Sequence, residues 1–162
     1  MVIGVVSDTH GHVPYARQGI RVLEPFSPSA VLHCGDIGSV EIVSLFAAWP
    51  THFVFGNCDY GQAARELRAA IEHAGQNCHG EFGQIELAGL KIALLHGDDS
   101  ARLAQTIAGQ KFDLVCHGHT HVARNEQIGK TRVLNPGALF RATPHSVAIV
   151  DLPSLKVEIL PI

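Results

Sequence analysis

Five short apolar runs in this chain each stop at a glycine that neighbours a side chain of metal-ligand type. Apolar runs of four to six residues bounded by glycine and polar residues are typical of buried strands. Ligands of open α/β sheets bind beyond the carboxyl ends of such strands. We therefore expect seven side chains to converge on one pocket. The segments are VIGVVSDTHG with Asp8 and His10, VLHCGD with Asp36, FVFGN with Asn57, IALLHG with His96, and LVCHGHTH with His119 and His121.

The size and charge of the chain restrict what it can bind. With 162 residues and no repeat or linker, residues 1–162 are expected to form a single domain. A formal net charge of -3 argues against long nucleic acid as the main partner, because that affinity depends on Lys and Arg. A small phosphorylated substrate remains compatible with this charge. A homo-oligomer is compatible with an exposed sheet edge or helix face, but no sequence feature selects one.

The chain carries no recognisable membrane or secretion signal. No apolar stretch approaches the roughly 18 to 20 residues of a membrane helix, and no Lys or Arg precedes the first apolar run. The four cysteines lack C-x-x-C spacing, which is typical of reduced thiols. We therefore expect a cytoplasmic protein that does not bind a membrane.

Strand-like and helix-like segments alternate along the first half. Helices are predicted from His12 to about Phe26, from Ser39 to about Trp49, and over 63–73. In the second half, Gly89 separates two runs in the pattern of an antiparallel hairpin, and one more helix is predicted over 100–108. The remaining segments, TRVLNPGAL, SVAIVDL and KVEIL, are predicted to form a meander of strands. This order predicts an α/β (α+β) fold with mixed sheets.

The seven donors themselves indicate a metal centre. They comprise two carboxylates, four imidazoles and one carboxamide, and this set of nitrogen and oxygen donors suits Mn²⁺, Fe or Zn²⁺. Seven donors are too many for one catalytic ion, but they suffice for two ions about 3.5 to 4 Å apart. The high histidine content, 11 residues spread between His10 and His145, agrees with a metal site.

At these residues the sequence resembles the calcineurin-like metallophosphoesterases, in particular their small bacterial and archaeal phosphodiesterase branch. The matching blocks are SDTHG, CGD, GNCD, LLHGD, GHTH and the later NPG, and they cover residues 7 to 137. The resemblance implies a four-layer α-β-β-α sandwich with two mixed β-sheets. It also implies a cytoplasmic hydrolase with two divalent ions, manganese first, with Fe, Zn, Ni or Co as alternatives.

The resemblance also implies a role for each matching residue. Asp8, His10 and His121 would bind one ion, Asn57, His96 and His119 would bind the other, and Asp36 would bridge them. The implied reaction is in-line attack on a phosphodiester by a hydroxide that bridges the two ions, without a covalent enzyme intermediate. Asp36 and Asn57 are thus also candidate catalytic residues.

One position departs from the family pattern. Many members have GNH followed by an acid, where this chain has GNCD, so Cys58 occupies the place of the usual histidine. A thiol is a poorer proton donor to an alkoxide than an imidazolium. We therefore expect a preference for phosphodiesters with good leaving groups. Asp59 is expected either to orient a neighbour or to fill a turn or helix-cap role.

Three residues outside the seven are candidate substrate contacts. His117, His119 and His121 occupy every second position of an extended segment, so all three side chains can face the same side. Asn135 and Gly137 belong to the NPG block and would shape the phosphate pocket, although a β-turn alone explains them equally well.

Other functions remain open at this point. A scaffold is one, since the scaffold subunit of eukaryotic retromer shares the implied fold, and a phosphomonoesterase or nucleotidase is another. A scaffold has no need of all seven donors, whereas this chain keeps them. The leading expectation is therefore a metal-dependent phosphodiesterase.

Overall fold

The computed structural model describes residues 1–162, and its strands form two separate sheets. Four α-helices lie outside the sheets, and none combines the length and apolar character needed to cross a bilayer. The helices are α1 Val13–Leu23, α2 Val40–Leu45, α3 Gly61–His73 and α4 Ser100–Ala108. The strands are β1 Val2–Val6, β2 Ala30–His33, β3 Thr51–Phe53, β4 Asn77–Cys78, β5 Phe82–Leu87, β6 Leu90–Leu95, β7 Leu114–Cys116, β8 Arg124–Ile128, β9 Thr131–Asn135, β10 Ser146–Asp151 and β11 Lys156–Pro161.

Both sheets contain parallel and antiparallel pairs. The six-stranded sheet has the order β11-β10-β1-β2-β3-β4, in which β1 to β4 run parallel and β10 pairs antiparallel with β1 and β11. The five-stranded sheet has the order β5-β6-β7-β9-β8, in which β6, β7 and β9 run parallel and the two edge strands run antiparallel. The predicted mixed α/β class is confirmed.

Three apolar clusters define four layers. Side chains such as Leu32 and Leu94 fill the space between the two sheets. Phe46 and Phe53 pack between the six-stranded sheet and helices α1 to α3. Ile107 of α4 covers the outer face of the five-stranded sheet. The order helix, sheet, sheet, helix is the sandwich that the family resemblance implies.

The predicted C-terminal meander is wrong. β9 lies in the five-stranded sheet beside β7, whereas β10 and β11 form a hairpin at the edge of the other sheet. The segment 136–145 therefore crosses between the sheets. The sequence pattern could not show this, because the side-chain alternation of a strand reports a buried face and not which sheet supplies the partner.

Helix boundaries agree with the sequence except in α2. α4 begins and ends as predicted, and α1 continues into a short 3-10 turn at Glu24–Phe26. The α2 helix ends at Leu45, and the chain reaches Trp49 through tighter turns in which Phe46 and Ala47 donate to carbonyls three residues earlier. Ser39 precedes α2, but its side chain makes no capping hydrogen bond.

Candidate metal centre

The seven predicted ligand residues all follow the carboxyl ends of parallel strands. Asp8 and His10 follow β1, Asp36 follows β2 and Asn57 follows β3, all in the six-stranded sheet. His96 follows β6, and His119 and His121 follow β7, in the five-stranded sheet. Because the two sheets face each other across the central core, their carboxyl ends meet at one edge of the sandwich, where the structure brings all seven side chains together.

Asp8, His10 and His121 form one group around a buried carboxylate. Asp8 Oδ1 lies 3.1 Å from His121 Nε2 and 3.8 Å from His10 Nε2, and the two histidine nitrogens are 3.4 Å apart. Asp8 is 0% exposed, whereas both histidines are partly accessible. The three donors therefore face one small space that opens towards solvent.

Asn57, His96 and His119 form a second group. Asn57 Oδ1 lies 3.1 Å from His96 Nε2 and 3.1 Å from His119 Nδ1. The Asp36 carboxylate lies between the two groups, since its Oδ2 is 3.4 Å from His96 Nε2 and 3.6 Å from His10 Nε2. Asp36 thus lies close to a histidine of each group, whereas Asp8 Oδ1 is farther, 4.0 Å, from His96 Nε2 of the second group.

Hydrogen bonds to groups outside the centre leave several of its nitrogen and oxygen atoms available to bind a metal. His96 Nδ1 donates to the Cys34 carbonyl (2.8 Å) and His121 Nδ1 donates to the Arg141 carbonyl (3.0 Å). Because Nδ1 donates to a carbonyl, Nε2 is the ring atom left to bind a metal, and in both residues that atom faces carboxylate oxygen. Asp8 Oδ1 is buried and accepts no hydrogen bond. Nitrogen and oxygen donors that converge on an unsatisfied buried oxygen suit a divalent cation.

The outer oxygens of the two aspartates are held by neighbouring donors. Asp8 Oδ2 accepts from the Ser7 hydroxyl (2.6 Å) and from the backbone N–H of His119 (3.1 Å). Asp36 Oδ1 accepts from the backbone N–H of Cys58 (2.8 Å). Each carboxylate is thereby oriented with its other oxygen towards the centre. The Ser7 contact was not predicted, although its place directly before Asp8 in SDTHG is a signal that was available.

The contact between Asp36 and His96 lowers the pKa of Asp36 and raises the pKa of His96. Burial raises the pKa of Asp36. Its hydrogen bond with His96, the hydrogen bond from the Cys58 N–H and the charge of His96 together lower it by more, so the net pKa lies well below its usual range. Burial lowers the pKa of His96, but the interactions with Asp36 and Asp8 outweigh this and raise it to about 9. Without a cation, a proton on His96 would thus neutralise part of the acceptor charge.

Asp59 does not face the centre but ties together the loops that carry its ligands. Its carboxylate accepts from the backbone N–H groups of Ile37 (2.9 Å), Gly38 (3.0 Å) and Gly56 (3.0 Å). Ile37 follows Asp36 directly and Gly56 precedes Asn57 directly. Burial raises the pKa of Asp59, and these three hydrogen bonds oppose the increase.

Cys58 lies at the open side of the centre. It is exposed, and its Sγ forms a compact group with His10 and Asp36 whose ligand atoms lie within 4.8 Å of one another. Desolvation raises the pKa of Cys58 most, and the hydrogen bond with Asp36 and the negative charge of Asp36 raise it further, to about 11. In the metal-free protein the side chain is therefore a neutral thiol at physiological pH.

The candidate substrate contacts occupy buried positions behind the ligand loops. Asn135 is 0% exposed, donates to the Gly118 carbonyl (2.8 Å) and the Thr120 hydroxyl (3.1 Å), and accepts from the Gly137 N–H (2.9 Å). His117 is 3% exposed, and its Nε2 has no hydrogen-bond partner. Burial lowers the pKa of His117 to about 4.

Most of the ligand residues have left-handed backbone conformations. Five of the seven have φ between 46° and 67°, namely Asp8, His10, Asp36, His119 and His121. Asp and His tolerate this region better than most residue types, but it remains uncommon outside glycine. Left-handed turns directly after the strands aim consecutive loop side chains into the same space.

Gly118 allows the closest approach between the two sheets at the centre. A side chain there would place its Cβ against the Ser7 hydroxyl and 2.6 Å from Asp8 Oδ2. The φ of Gly118 is not among the positive values. The position therefore requires glycine for space and not for backbone freedom.

Comparison with known proteins connects this geometry to a family. The sequence model of the calcineurin-like phosphoesterase superfamily domain matches residues 1–154. A phosphodiesterase of Methanocaldococcus jannaschii is 30% identical over 139 residues, which cover 85% of this chain and 83% of that protein.

Solved structures share the whole architecture. An archaeal phosphodiesterase has a TM-score of 0.90 to this chain at 26% identity, with 100% of both chains covered. Wild-type Vps29 of Entamoeba histolytica, solved with zinc, has a TM-score of 0.63 at 19% identity over 99% of each chain. The likeness to Vps29 shows a common fold only.

Proposed function

The chain belongs to the calcineurin-like phosphoesterase superfamily and is a hydrolase of phosphoric esters, and on that premise we propose that it cleaves small phosphodiesters at a centre of two divalent ions. The observation that carries the proposal is the buried, unsatisfied Asp8 Oδ1, on which imidazole nitrogens from both sheets converge. The phosphodiesterase similarity favours diesters over monoesters.

The residues divide into two half-sites. Asp8, His10 and His121 would hold one ion, and Asn57, His96 and His119 would hold the other. Asp36 would contact both, because its Oδ2 lies close to His10 and His96. When bound, two such ions would lower the pKa of a water molecule and neutralise charge on the phosphate oxygens.

The remaining contacts position these ligands. The carbonyls of Cys34 and Arg141 fix the tautomers of His96 and His121. Asp59 and Asn135 hold the ligand loops through the hydrogen bonds described above. The burial of Asn135 supports a positioning role for it, with Gly137 as its partner, more than a contact with substrate.

The chemistry at position 58 favours good leaving groups. A thiol with a pKa of about 11 is a weak proton donor at neutral pH. A positive charge near Cys58 comes from Arg141, whose guanidinium lies 5.5 Å from the centre of the Phe140 ring and opposes the pKa increase of Cys58. Arg141 would stabilise negative charge on the phosphate oxygens but would not protonate a departing alkoxide, because a guanidinium does not release a proton in proteins.

Manganese is the proposed native metal, with Fe, Zn, Ni and Co as alternatives. A set of imidazole and carboxylate donors admits all of these ions, so that cellular availability decides among them. The four cysteines are free thiols, which supports a reducing cytoplasmic compartment.

A reconstitution assay tests the proposal. The metal-free protein is loaded with each ion, and hydrolysis of aryl phosphodiesters and phosphomonoesters is compared for wild type, Asp36→Ala and Asn57→Ala. We expect manganese-dependent diester hydrolysis that both substitutions abolish. Unchanged activity in the two variants would refute the site, and preferential monoester cleavage would favour a phosphomonoesterase or nucleotidase. Metal binding without any hydrolysis would favour the scaffold alternative.

A further inference from the structure

A cleft of about 760 Å³ opens directly beside the metal centre. Asn57 and His96 form the wall that it shares with the centre, α3 and α4 contribute the outer walls, and Tyr60 stands at its rim with 75% of its surface exposed. The volume lies in the range of small-molecule sites. A phosphate held at the metal centre would leave most of this space for another part of the same substrate.

Two arginines in this cleft have no acidic partner. Arg65 and Arg68 lie one turn apart on α3, and neither is within ion-pair distance of a carboxylate. The Arg68 guanidinium lies 5.4 Å from the centre of the Phe55 ring, and Arg65 donates to Gln62 Oε1 (2.9 Å). A guanidinium supported by an aromatic face loses less conformational entropy when it binds an anion.

The carboxylates in the same cleft are mostly engaged. Glu81 pairs with Arg102 at 3.6 Å, and Asp99 caps α4 by accepting from the Arg102 N–H (2.9 Å). The Asp59 oxygens accept hydrogen bonds from three backbone N–H groups. Hydrogen bonds from backbone N–H groups leave Asp59 and Asp99 charged, so the lining holds four carboxylates and three guanidiniums. Arg65 and Arg68 are the two guanidiniums without a carboxylate partner, and they lie together on α3.

We propose that this cleft is a subsite for a second phosphate group, and that the preferred substrate is a phosphodiester whose non-leaving alcohol carries a phosphate monoester. Arg68, supported by Phe55, binds the second phosphate, and Arg65 adds positive charge beside it. The exposed Tyr60 ring offers an apolar face to the alcohol between the two phosphates. The inference rests on the proposed function, because it places the scissile diester at the metal centre.

Matched substrates test the subsite. p-Nitrophenyl alkyl phosphodiesters of increasing chain length are prepared with either a terminal phosphate or a terminal hydroxyl. Water cleaves the aryl ester bond, p-nitrophenol leaves, and the alkyl phosphate remains. The wild type is expected to prefer the terminal phosphate in kcat/KM by about tenfold to a hundredfold at one chain length, the effect of a charge-assisted contact.

Two variants separate the subsite from general charge effects. Arg68→Gln should bring the preference for the terminal phosphate to about one and leave kcat/KM for the hydroxyl series unchanged. Arg17→Gln, an exposed arginine on α1 away from the cleft, should retain the wild-type preference. Equal kcat/KM for both series at every chain length, or a wild-type preference in Arg68→Gln, would overturn the proposal.

A binding measurement keeps the subsite testable apart from catalysis. Alkanediol bisphosphates are titrated calorimetrically into manganese-loaded wild type and Arg68→Gln, beside the matching monophosphates. We expect tighter binding of the bisphosphate in the wild type only. If no diester is hydrolysed, the proposed function fails, and equal binding of bisphosphate and monophosphate to the wild type would still refute the subsite independently.

Discussion

At the scale of single residues, this site depends on ligand atoms that outside contacts direct towards a buried carboxylate oxygen. His96 and His121 each give their Nδ1 proton to a backbone carbonyl, and Asp8 Oδ1 is buried without a donor. Leaving a buried carboxylate oxygen unpaired is costly. A proton on His96 offsets part of this cost in the metal-free protein, and a bound cation would offset more of it, so the same contacts that destabilise the metal-free centre would give it affinity for metal.

Substitution of Asp59 tests whether this carboxylate beside the ligands acts chemically or structurally. Asp59→Asn replaces one acceptor oxygen with an NH2 group, which then faces either the Gly38 N–H or the N–H groups of Ile37 and Gly56. We expect the free energy of unfolding of the metal-free protein to fall by about 1 to 3 kcal/mol in urea titrations. Asp98→Asn, an exposed neighbour of the site, is the control and should have no effect. A variant that is as stable as wild type but inactive would indicate a chemical role instead.

In the proposed function, Cys58 limits which leaving groups the enzyme tolerates. Cys58→His should raise kcat most for alkyl diesters, by up to about a hundredfold, because an imidazolium can protonate the departing alkoxide. Arg141→Gln should lower kcat alike for all leaving groups, since its charge acts on the phosphate oxygens. Rates are measured across a series of leaving groups of increasing pKa. The same relative gain for every leaving group in Cys58→His would contradict this account.

At the scale of elements, the contact between the β1 and β7 loops requires glycine at position 118. In Gly118→Ala, the new methyl group would collide with Ser7 and displace Asp8. Because Ser7 orients a ligand from outside the centre, we expect metal affinity to fall about tenfold to a hundredfold in calorimetric titrations.

Gly89→Ala is the matched control for that substitution. Gly89 has a φ of 77° but no atom within 4 Å of a new Cβ, so this change introduces backbone strain without a collision. It should cost about 1 kcal/mol of stability and leave metal affinity unchanged. Equal metal affinities in the two alanine variants would argue against the steric role of Gly118.

The sequence predicted the strands that deliver ligands better than the strands that complete the sheets. Buried parallel strands such as β1 and β6 are continuous apolar runs, and their ends are marked by glycine. β8 is an edge strand with the sequence RNEQI, and none of its residues is buried. No hydrophobic pattern in the sequence therefore indicates this strand. The left-handed φ of the ligand residues was equally hidden, because Asp and His adopt this conformation only occasionally and no sequence pattern marks it.

At the scale of the whole molecule, buried neutral histidines make the fold sensitive to acid. Burial lowers the pKa of His33 to about 3 and of His117 to about 4, from an ordinary value of 6.5. As the pH falls below 6.5, these two histidines therefore bind protons in the unfolded chain but stay neutral in the folded chain. His96, with its pKa raised to about 9, is protonated in both states well below pH 6.5, so its own contribution to stability is full there and is lost as the pH rises from 6.5 towards 9.

We expect the contribution of His33 and His117 to the stability of the metal-free protein to be complete above pH 6.5 and to be lost as the pH falls towards 4. The slope should reach about 1.4 kcal/mol per pH unit for each of these two histidines. Urea unfolding at several pH values measures it, and His117→Asn should remove about half of the slope contributed by this pair. Stability that is independent of pH over this range would contradict the burial of neutral imidazoles.

Stoichiometric titration of the metal-free protein with Mn²⁺, followed by hydrolysis of bis(p-nitrophenyl) phosphate, tests the central claim most directly. Two half-sites that share Asp36 predict no activity without metal and a rise to a plateau at two equivalents of Mn²⁺ per chain. In Asp36→Asn that plateau should disappear. Activity in the absence of metal, or a plateau at one equivalent, would contradict a catalytic centre of two ions.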